Sequence, residues 1–125
     1  MILDTNALSA FVDGDPALGP VLRRQRRGAI PVIVLGEFRY GISASRHRKA
    51  YEAWLDEHLG AFEVLDLTQE TASAYARVRL GLRLRGEPIP ANDAWIAALA
   101  LEHAMPVLTR DAHFDVVEGL TRVGW

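Results

Sequence analysis

Apolar residues fall into two kinds of segment along this chain: short runs, and longer stretches in which they recur every three to four positions. Short runs favour strands, and the longer period favours helices. The predicted strands cover residues 1–3, 29–34, 62–67, 106–109 and 120–123. Helical patterns lie between them, at residues 5–12, 16–28, 35–42, 46–59, 68–85 and 91–103.

Residues that favour helix ends mark some of these boundaries. Asp15 and Pro16 predict an N-cap and a first helical position, and Gly28 predicts the end of that helix. Thr68 predicts the N-cap of the long helix that follows, with Glu70 placing a negative charge in its first turn.

The alternation of strands and helices predicts an α/β fold. Such a pattern is typical of a three-layer α/β/α domain with a mainly parallel sheet, here of four to five strands. A length of 125 residues predicts a single domain, residues 1–125.

The composition is that of an ordinary globular protein, with 50% hydrophobic and 24% charged residues. There is no cysteine, which fits a reducing compartment. The sequence shows no apolar run of about 20 residues and no charged-then-apolar leader, so we expect a soluble, cytoplasmic protein without a membrane partner. The net charge of −2 does not by itself indicate nucleic-acid binding.

Four acidic residues follow predicted strands or begin predicted helices. Asp4 and Asp111 come directly after strands, Glu37 lies shortly after the second strand, and Asp93 lies in the first turn of the apolar helix ANDAWIAALALEH. Ligands of open parallel sheets bind at the carboxyl ends of the strands. We therefore expect these four side chains to converge on one edge of the sheet.

Four neighbouring carboxylates repel one another, by a few kcal/mol for a pair about 4 Å apart at an effective dielectric constant near 20. The segments that carry them supply too few basic residues to cancel this repulsion. Oxygen ligands without cysteine suit Mg²⁺ or Mn²⁺. The pattern therefore predicts a divalent metal site that activates water for attack on a phosphate.

Four motifs in this order resemble the PIN-domain ribonucleases, and more narrowly the VapC toxins of bacterial toxin–antitoxin pairs. They are DTN at 4–6, Glu37, NDAWIAA at 92–98 and TRDAHF at 109–114, and the likeness covers essentially the whole chain. The resemblance implies that Asp4, Glu37, Asp93 and Asp111 form the acidic quartet that binds Mg²⁺ or Mn²⁺ and hydrolyses RNA phosphodiester bonds. Asn6 and Thr109 match polar residues that support these acids.

The resemblance also implies a parallel sheet between helices, with Ala97 and Ala98 as small residues that let their helix pack closely. Such toxins are usually homodimers that a cognate antitoxin silences, and many cut structured RNA such as tRNA or ribosomal RNA. Many relatives carry Asp where this chain has His113, which we expect to adjust the surroundings of the ligands. Asp115 is out of register and is not counted as a ligand.

Each acid also has an ordinary structural explanation. Asp4 and Asp93 are favourable near helix starts, and Asp111 is favourable in a turn. Glu37 lies among apolar residues and could pair with Arg39 or with another arginine. The joint interpretation is preferred because all four fall on one predicted edge.

Two other functions stay open at this point. An aspartyl phosphatase or phosphoacceptor domain would use Asp4 as its nucleophile, but Asn6 stands where a second Asp is usual and the single lysine is Lys49 in a predicted surface helix. A non-catalytic binding module would use the acids to hold a basic partner segment.

Basic and aromatic residues have two interpretations each. The RRQRR segment at 23–27 is either a solvated helix end or a phosphate contact. Trp54, Trp95 and Trp125 are expected to anchor the packing, although single-stranded RNA is also held by stacking on aromatic rings.

Overall fold

The computed structural model describes residues 1–25 and 27–125, and its centre is a five-stranded sheet. The strands are β1 (Ile2–Leu3), β2 (Ala29–Pro31), β3 (Glu63–Leu65), β4 (Val107–Leu108) and β5 (Arg122–Val123). They lie in the order β3-β2-β1-β4-β5, and each neighbouring pair is parallel. The predicted mainly parallel sheet is confirmed.

Helices connect these strands. They are α1 (Thr5–Val12), α2 (Leu18–Arg23), α3 (Val32–Ile42), α4 (Arg48–His58), α5 (Gln69–Leu84) and α6 (Ala91–His103). Two 3-10 turns, Leu59–Ala61 and Ala112–Val116, complete the regular structure of the described residues. None of the helices described is both long and apolar enough to cross a membrane.

The central strands are covered on both faces. Ile2 and Leu3 of β1 are fully buried, as are Val107 and Leu108 of β4. Successive side chains of a strand point to opposite faces of the sheet, so burial of both residues of each pair requires helices on either side. The three-layer α/β/α arrangement is confirmed.

Thr68 is the N-cap of α5, as the sequence predicts. Its hydroxyl accepts the N–H of Thr71, and the Thr71 hydroxyl in turn accepts the N–H of Thr68. The Thr71 hydroxyl also contacts a carboxylate oxygen of Glu102 at 2.7 Å, which joins the start of α5 to the end of α6.

The predicted boundary between the second strand and the next helix is wrong. The strand ends at Pro31, and α3 begins at Val32 rather than at residue 35. The apolar run after Pro31 continues with the spacing of a helix, because Val34, Phe38 and Ile42 recur every four residues and are buried.

The helix expected at 16–28 is also shorter than predicted. α2 begins at Leu18 after Ala17, and Asp15 instead accepts the N–H of Ala17 in the preceding turn at 2.9 Å. The helix ends at Arg23 rather than at Gly28. Arg26 of the RRQRR segment lies outside the described residues.

Trp54 and Trp95 pack against other aromatic residues, in agreement with the expected anchoring role. Trp54 meets Phe11 edge to face, with ring centroids 5.4 Å apart. Trp95 of α6 stacks on Tyr75 of α5 with centroids 3.8 Å apart. The contact between Trp95 and Tyr75 holds α6, the helix that carries Asp93, against α5.

Candidate functional site

The carboxyl ends of the two central strands place Asp4 beside Thr109. β1 and β4 pair in parallel, with Leu3 opposite Leu108, so the next residue of each strand reaches the same edge. The N–H of Asp4 donates to the carbonyl of Leu108 at 3.1 Å, and the Thr109 hydroxyl donates to Asp4 Oδ2 at 2.8 Å. Both side chains are buried.

Thr109 joins Asp4 to two further residues of the site. Its hydroxyl oxygen accepts the side-chain amide of Asn6 at 3.1 Å and the backbone N–H of Asp111 at 2.9 Å. The carbonyl oxygen of the Asn6 side chain accepts the N–H of Arg110 at 3.3 Å. A network of short polar contacts therefore fixes the loop after β4 against the start of α1.

Asp93, Asp111 and His113 form the tightest group of ionisable side chains at this edge. Among the described residues, one ligand atom from each lies within 4.8 Å of the others. Nδ1 of His113 is 3.2 Å from Asp93 Oδ2 and 3.1 Å from Asp111 Oδ1. Asp93 lies in the first turn of α6, as expected from the sequence.

Asp4 and Glu37 lie outside that group, but charges of the group act on both of them. Burial raises the pKa of Asp4 above its ordinary value, and the charge of Asp111 adds to the rise. Burial likewise raises the pKa of Glu37, and repulsion from Asp4 and Asp93 adds to it. The four acids therefore share one electrostatic environment.

Asp93 and His113 influence each other's protonation. Burial raises the pKa of Asp93, the hydrogen bond from His113 opposes that rise, and the charges of Asp4 and Asp111 increase it. The hydrogen bond to Asp93, followed by the charge of Asp111, raises the pKa of His113. The contact with Asp93 therefore favours the protonated form of the His113 imidazole.

Among the described residues, no arginine lies in direct ion-pair contact with the four acids. None of the ion pairs found there joins a guanidinium to Asp4, Glu37, Asp93 or Asp111. Arg110, although adjacent to Asp111 in the chain, turns away: its guanidinium lies 4.5 Å above the ring of Trp125 and 3.8 Å from Asp15. The predicted alternative of a pair between Glu37 and Arg39 or another arginine is wrong within residues 1–25 and 27–125.

Glu37 carries an unsatisfied oxygen. Its Oε1 is buried and has no hydrogen-bond partner within residues 1–25 and 27–125. A buried polar atom without a partner is costly, more so when it carries charge. Such an oxygen fits a site whose missing partner is a cation or its bound water.

The set of donor atoms suits a hard divalent cation. It offers carboxylate oxygens from Asp4, Glu37, Asp93 and Asp111, together with one imidazole nitrogen. Three of the carboxylates have raised pKa values because they are buried close to like charge, which is the situation that a bound cation relieves.

The helix-capping and turn roles considered for these acids explain only some of their contacts. Asp4 does cap α1, since its Oδ1 accepts the N–H of Thr5 at 2.7 Å, but its second oxygen faces Thr109 and Asn6. Asp93 does not cap α6, because the N-cap residue is Pro90. Asp111 accepts the N–H of His113 at 2.9 Å in the turn after β4 and also contacts the imidazole.

The sequence does not by itself predict that His113 belongs to this group. The spacing of TRDAHF places it two residues after Asp111, and nothing in that spacing indicates the direction of its side chain. Asp115 lies apart from the group and pairs with Arg122, Oδ1 to Nε at 2.6 Å, so its exclusion as a ligand agrees with its position.

Comparison with known proteins places this architecture in a family. The model of the PIN domain matches residues 1–120. The chain is 33% identical to Ribonuclease VapC5 of Mycobacterium tuberculosis, over 98% of this chain and 90% of that protein. It is 30% identical to Ribonuclease VapC2 of Rickettsia felis, over 99% of this chain and 96% of that protein.

A solved structure agrees with these sequence matches. The crystal structure of VapBC2 from Rickettsia felis, bound to a DNA fragment from its promoter, contains a chain that superposes with a TM-score of 0.87. The two chains are 26% identical, and the match covers 99% of this chain and 97% of the other. The chain therefore belongs to the PIN-domain family, and its curated relatives are VapC ribonucleases.

Proposed function

We propose that this protein is a metal-dependent endoribonuclease and the toxin of a toxin–antitoxin pair. The observation that carries the proposal is the cluster of acids at one edge of the sheet, three of them with pKa values raised by burial and like charge, and without an arginine partner among the described residues. The relatives named ribonuclease support the reaction.

Asp4, Glu37, Asp93 and Asp111 would hold Mg²⁺ or Mn²⁺, and the ion would supply Lewis-acid activation of water for attack on the phosphate. The residues of this chain set the geometry. Thr109 and Asn6 fix Asp4, and the turn after β4 fixes Asp111 through its own backbone contacts. Asp93 is carried by α6, whose residues 96–100 are buried, and this packing holds the start of the helix in place.

The proposed partners are an RNA substrate, a cognate antitoxin and a second copy of the chain. Solved complexes of VapB with VapC support the antitoxin, since one of them contains a chain with the present fold. We further propose that residues 1–125 act as one domain and that the protein works in the cytoplasm, where structured RNA is accessible.

A cleavage assay with purified full-length protein tests the proposal. Incubated with total cellular RNA and MnCl₂ or MgCl₂, the wild type is expected to produce new RNA ends at few positions, and an excess of chelator is expected to stop this. Asp93→Asn should lower the rate by about 100-fold or more, because ligand loss costs at least as much as loss of a supporting partner. Asp56→Asn, an exposed carboxylate on α4, is the matched control and should cleave normally.

Two results would contradict the proposal. Cleavage by Asp93→Asn at the wild-type rate would show that Asp93 does not take part in the reaction. Absence of cleavage by the wild type with either metal would instead favour the non-catalytic binding module, in which the acids hold a basic partner.

A further inference from the structure

We propose that His113 is a direct ligand of the divalent ion through its Nδ1 atom, and that this nitrogen shifts the preference of the site from Mg²⁺ towards Mn²⁺. The inference rests on the proposed metal-dependent function. From the sequence alone, His113 is expected only to lie near the ligands. The inference adds its Nδ1 atom as a donor beside the four carboxylates assigned above.

The spacing of the three donor atoms supports direct ligation. Nδ1 of His113 lies 3.1 Å from Asp111 Oδ1 and 3.2 Å from Asp93 Oδ2. In an octahedral complex with metal–ligand bonds of about 2.1 Å, neighbouring ligand atoms are about 3.0 Å apart. The separations of Nδ1 from both oxygens thus match those of adjacent ligands around one ion.

The backbone holds the imidazole in this position. His113 lies in the 3-10 turn Ala112–Val116, where its N–H donates to Asp111 Oδ1 at 2.9 Å. The next residue, Phe114, is fully buried and anchors the turn in the core. The position of the turn is therefore set by packing, while the imidazole itself, 54% exposed, stays accessible to an ion and its waters.

The chemistry of the donor predicts the change in preference. Both ions bind carboxylates well, but Mn²⁺, a first-row transition metal, accepts an imidazole nitrogen more readily than Mg²⁺, which binds almost entirely through oxygen. Carboxylates alone would hold both ions mainly by charge. A nitrogen contributed by His113 strengthens the complex with Mn²⁺ more than the complex with Mg²⁺.

A simpler role is that His113 serves only as a cationic neighbour of Asp93 and Asp111. A metal ion would then displace the imidazole instead of binding it. The two roles differ in a measurable respect, because only direct ligation brings a histidine nitrogen into the coordination shell of the ion.

Electron spin-echo envelope modulation of Mn²⁺ bound to the full-length protein detects such a nitrogen. Wild-type protein is expected to show modulation from one directly bound nitrogen, and labelling the histidines with ¹⁵N should change the modulation frequencies. His113→Asp should bind Mn²⁺ without this signal. His103→Asn is the matched control, since His103 lies beside Glu102 at the opposite end of α6 from Asp93, and it should keep the signal.

Calorimetric titration with MnCl₂ and with MgCl₂ gives the second measurement. The ratio of Mn²⁺ affinity to Mg²⁺ affinity should fall by about 10-fold in His113→Asp, in the range of losses measured when a residue near a metal is replaced. The same ratio should be unchanged in His103→Asn.

The outcomes separate this inference from the function on which it rests. Mn²⁺ bound by the wild type without nitrogen modulation overturns the role of His113 and leaves the metal-dependent nuclease intact. Failure of the wild type to bind either ion overturns both. An affinity ratio that His113→Asp does not alter contradicts the proposed shift in preference.

Discussion

Among single residues, Thr109 has the largest part in shaping the candidate site. Its buried hydroxyl donates to Asp4 and accepts from Asn6 and from the backbone of Asp111. A hydroxyl provides one donor and two acceptor positions, so all of its hydrogen-bonding capacity is used. The hydroxyl therefore sets the positions of two of the proposed ligands.

Replacing Thr109 by Val keeps the shape and removes the hydroxyl. The free energy of unfolding should fall by about 2 kcal/mol, because buried polar partners are left unsatisfied. Affinity for Mn²⁺ should fall by about 10-fold or more, since the residue that orients Asp4 is lost. Urea denaturation and calorimetric titration measure the two effects.

Thr109→Ser is the control, because it keeps the hydroxyl and loses one buried methyl group worth about 1 kcal/mol. Its Mn²⁺ affinity should stay close to that of the wild type. Equal loss of affinity in the Ser and Val variants would show that the hydroxyl does not orient the acids.

The raised pKa of Glu37 makes the free energy of unfolding of the metal-free protein depend on pH. Its pKa is raised by burial and by Asp4 and Asp93, so the folded protein holds this proton to a higher pH than the unfolded chain does. Ionisation therefore destabilises the metal-free protein as pH rises through the interval between the ordinary and the raised pKa. Glu37→Gln should be more stable than the wild type at pH 7.

Thermal unfolding in the presence of chelator, repeated across pH, measures this effect. The advantage of Glu37→Gln should disappear below the ordinary glutamate pKa, where the wild-type carboxyl is protonated in both states. Glu57→Gln changes an exposed glutamate of α4 and serves as the control. A constant difference between Glu37→Gln and wild type at every pH would contradict the assigned repulsion.

At the scale of elements, some features of the fold could be predicted and others could not. The N-cap at Thr68 was predictable because capping depends on local hydrogen bonds. The end of β2 could not be predicted, because the apolar residues after Pro31 fit a buried strand as well as the inner face of a helix. Packing of α3 against its neighbours decides between them.

α6 illustrates how an element constrains the site through its packing. Ala97 and Ala98 are fully buried, in agreement with the small residues expected there. Ala97→Leu should lower the free energy of unfolding by about 1–3 kcal/mol, because extra volume in a filled core displaces the helix. Since α6 carries Asp93, its displacement should also weaken Mn²⁺ binding.

Chemical denaturation and metal titration together measure this effect. Ala53→Leu makes the same change at an exposed position of α4 and should alter stability by no more than about 0.5 kcal/mol. Equal effects of the two substitutions would mean that α6 has room for a larger side chain.

In the whole molecule, the parallel pairing of the strands explains why the acids lie near one another, and this pairing can be predicted from the sequence. Strand order could be expected to place Asp4 beside the segment that carries Asp111, because both follow strands of a parallel sheet. The position of the His113 side chain could not be predicted. In a short 3-10 turn its direction depends on the burial of Phe114 and on contacts across the site.

We propose above that Asp4, Glu37, Asp93 and Asp111 gather around a divalent cation. Crystals of the full-length protein grown with MnCl₂, with diffraction recorded on both sides of the manganese absorption edge, test it most directly. An anomalous peak is expected within coordination distance of carboxylate oxygens from Asp4, Glu37, Asp93 and Asp111. Crystals that contain manganese elsewhere and show no peak between these residues would contradict it.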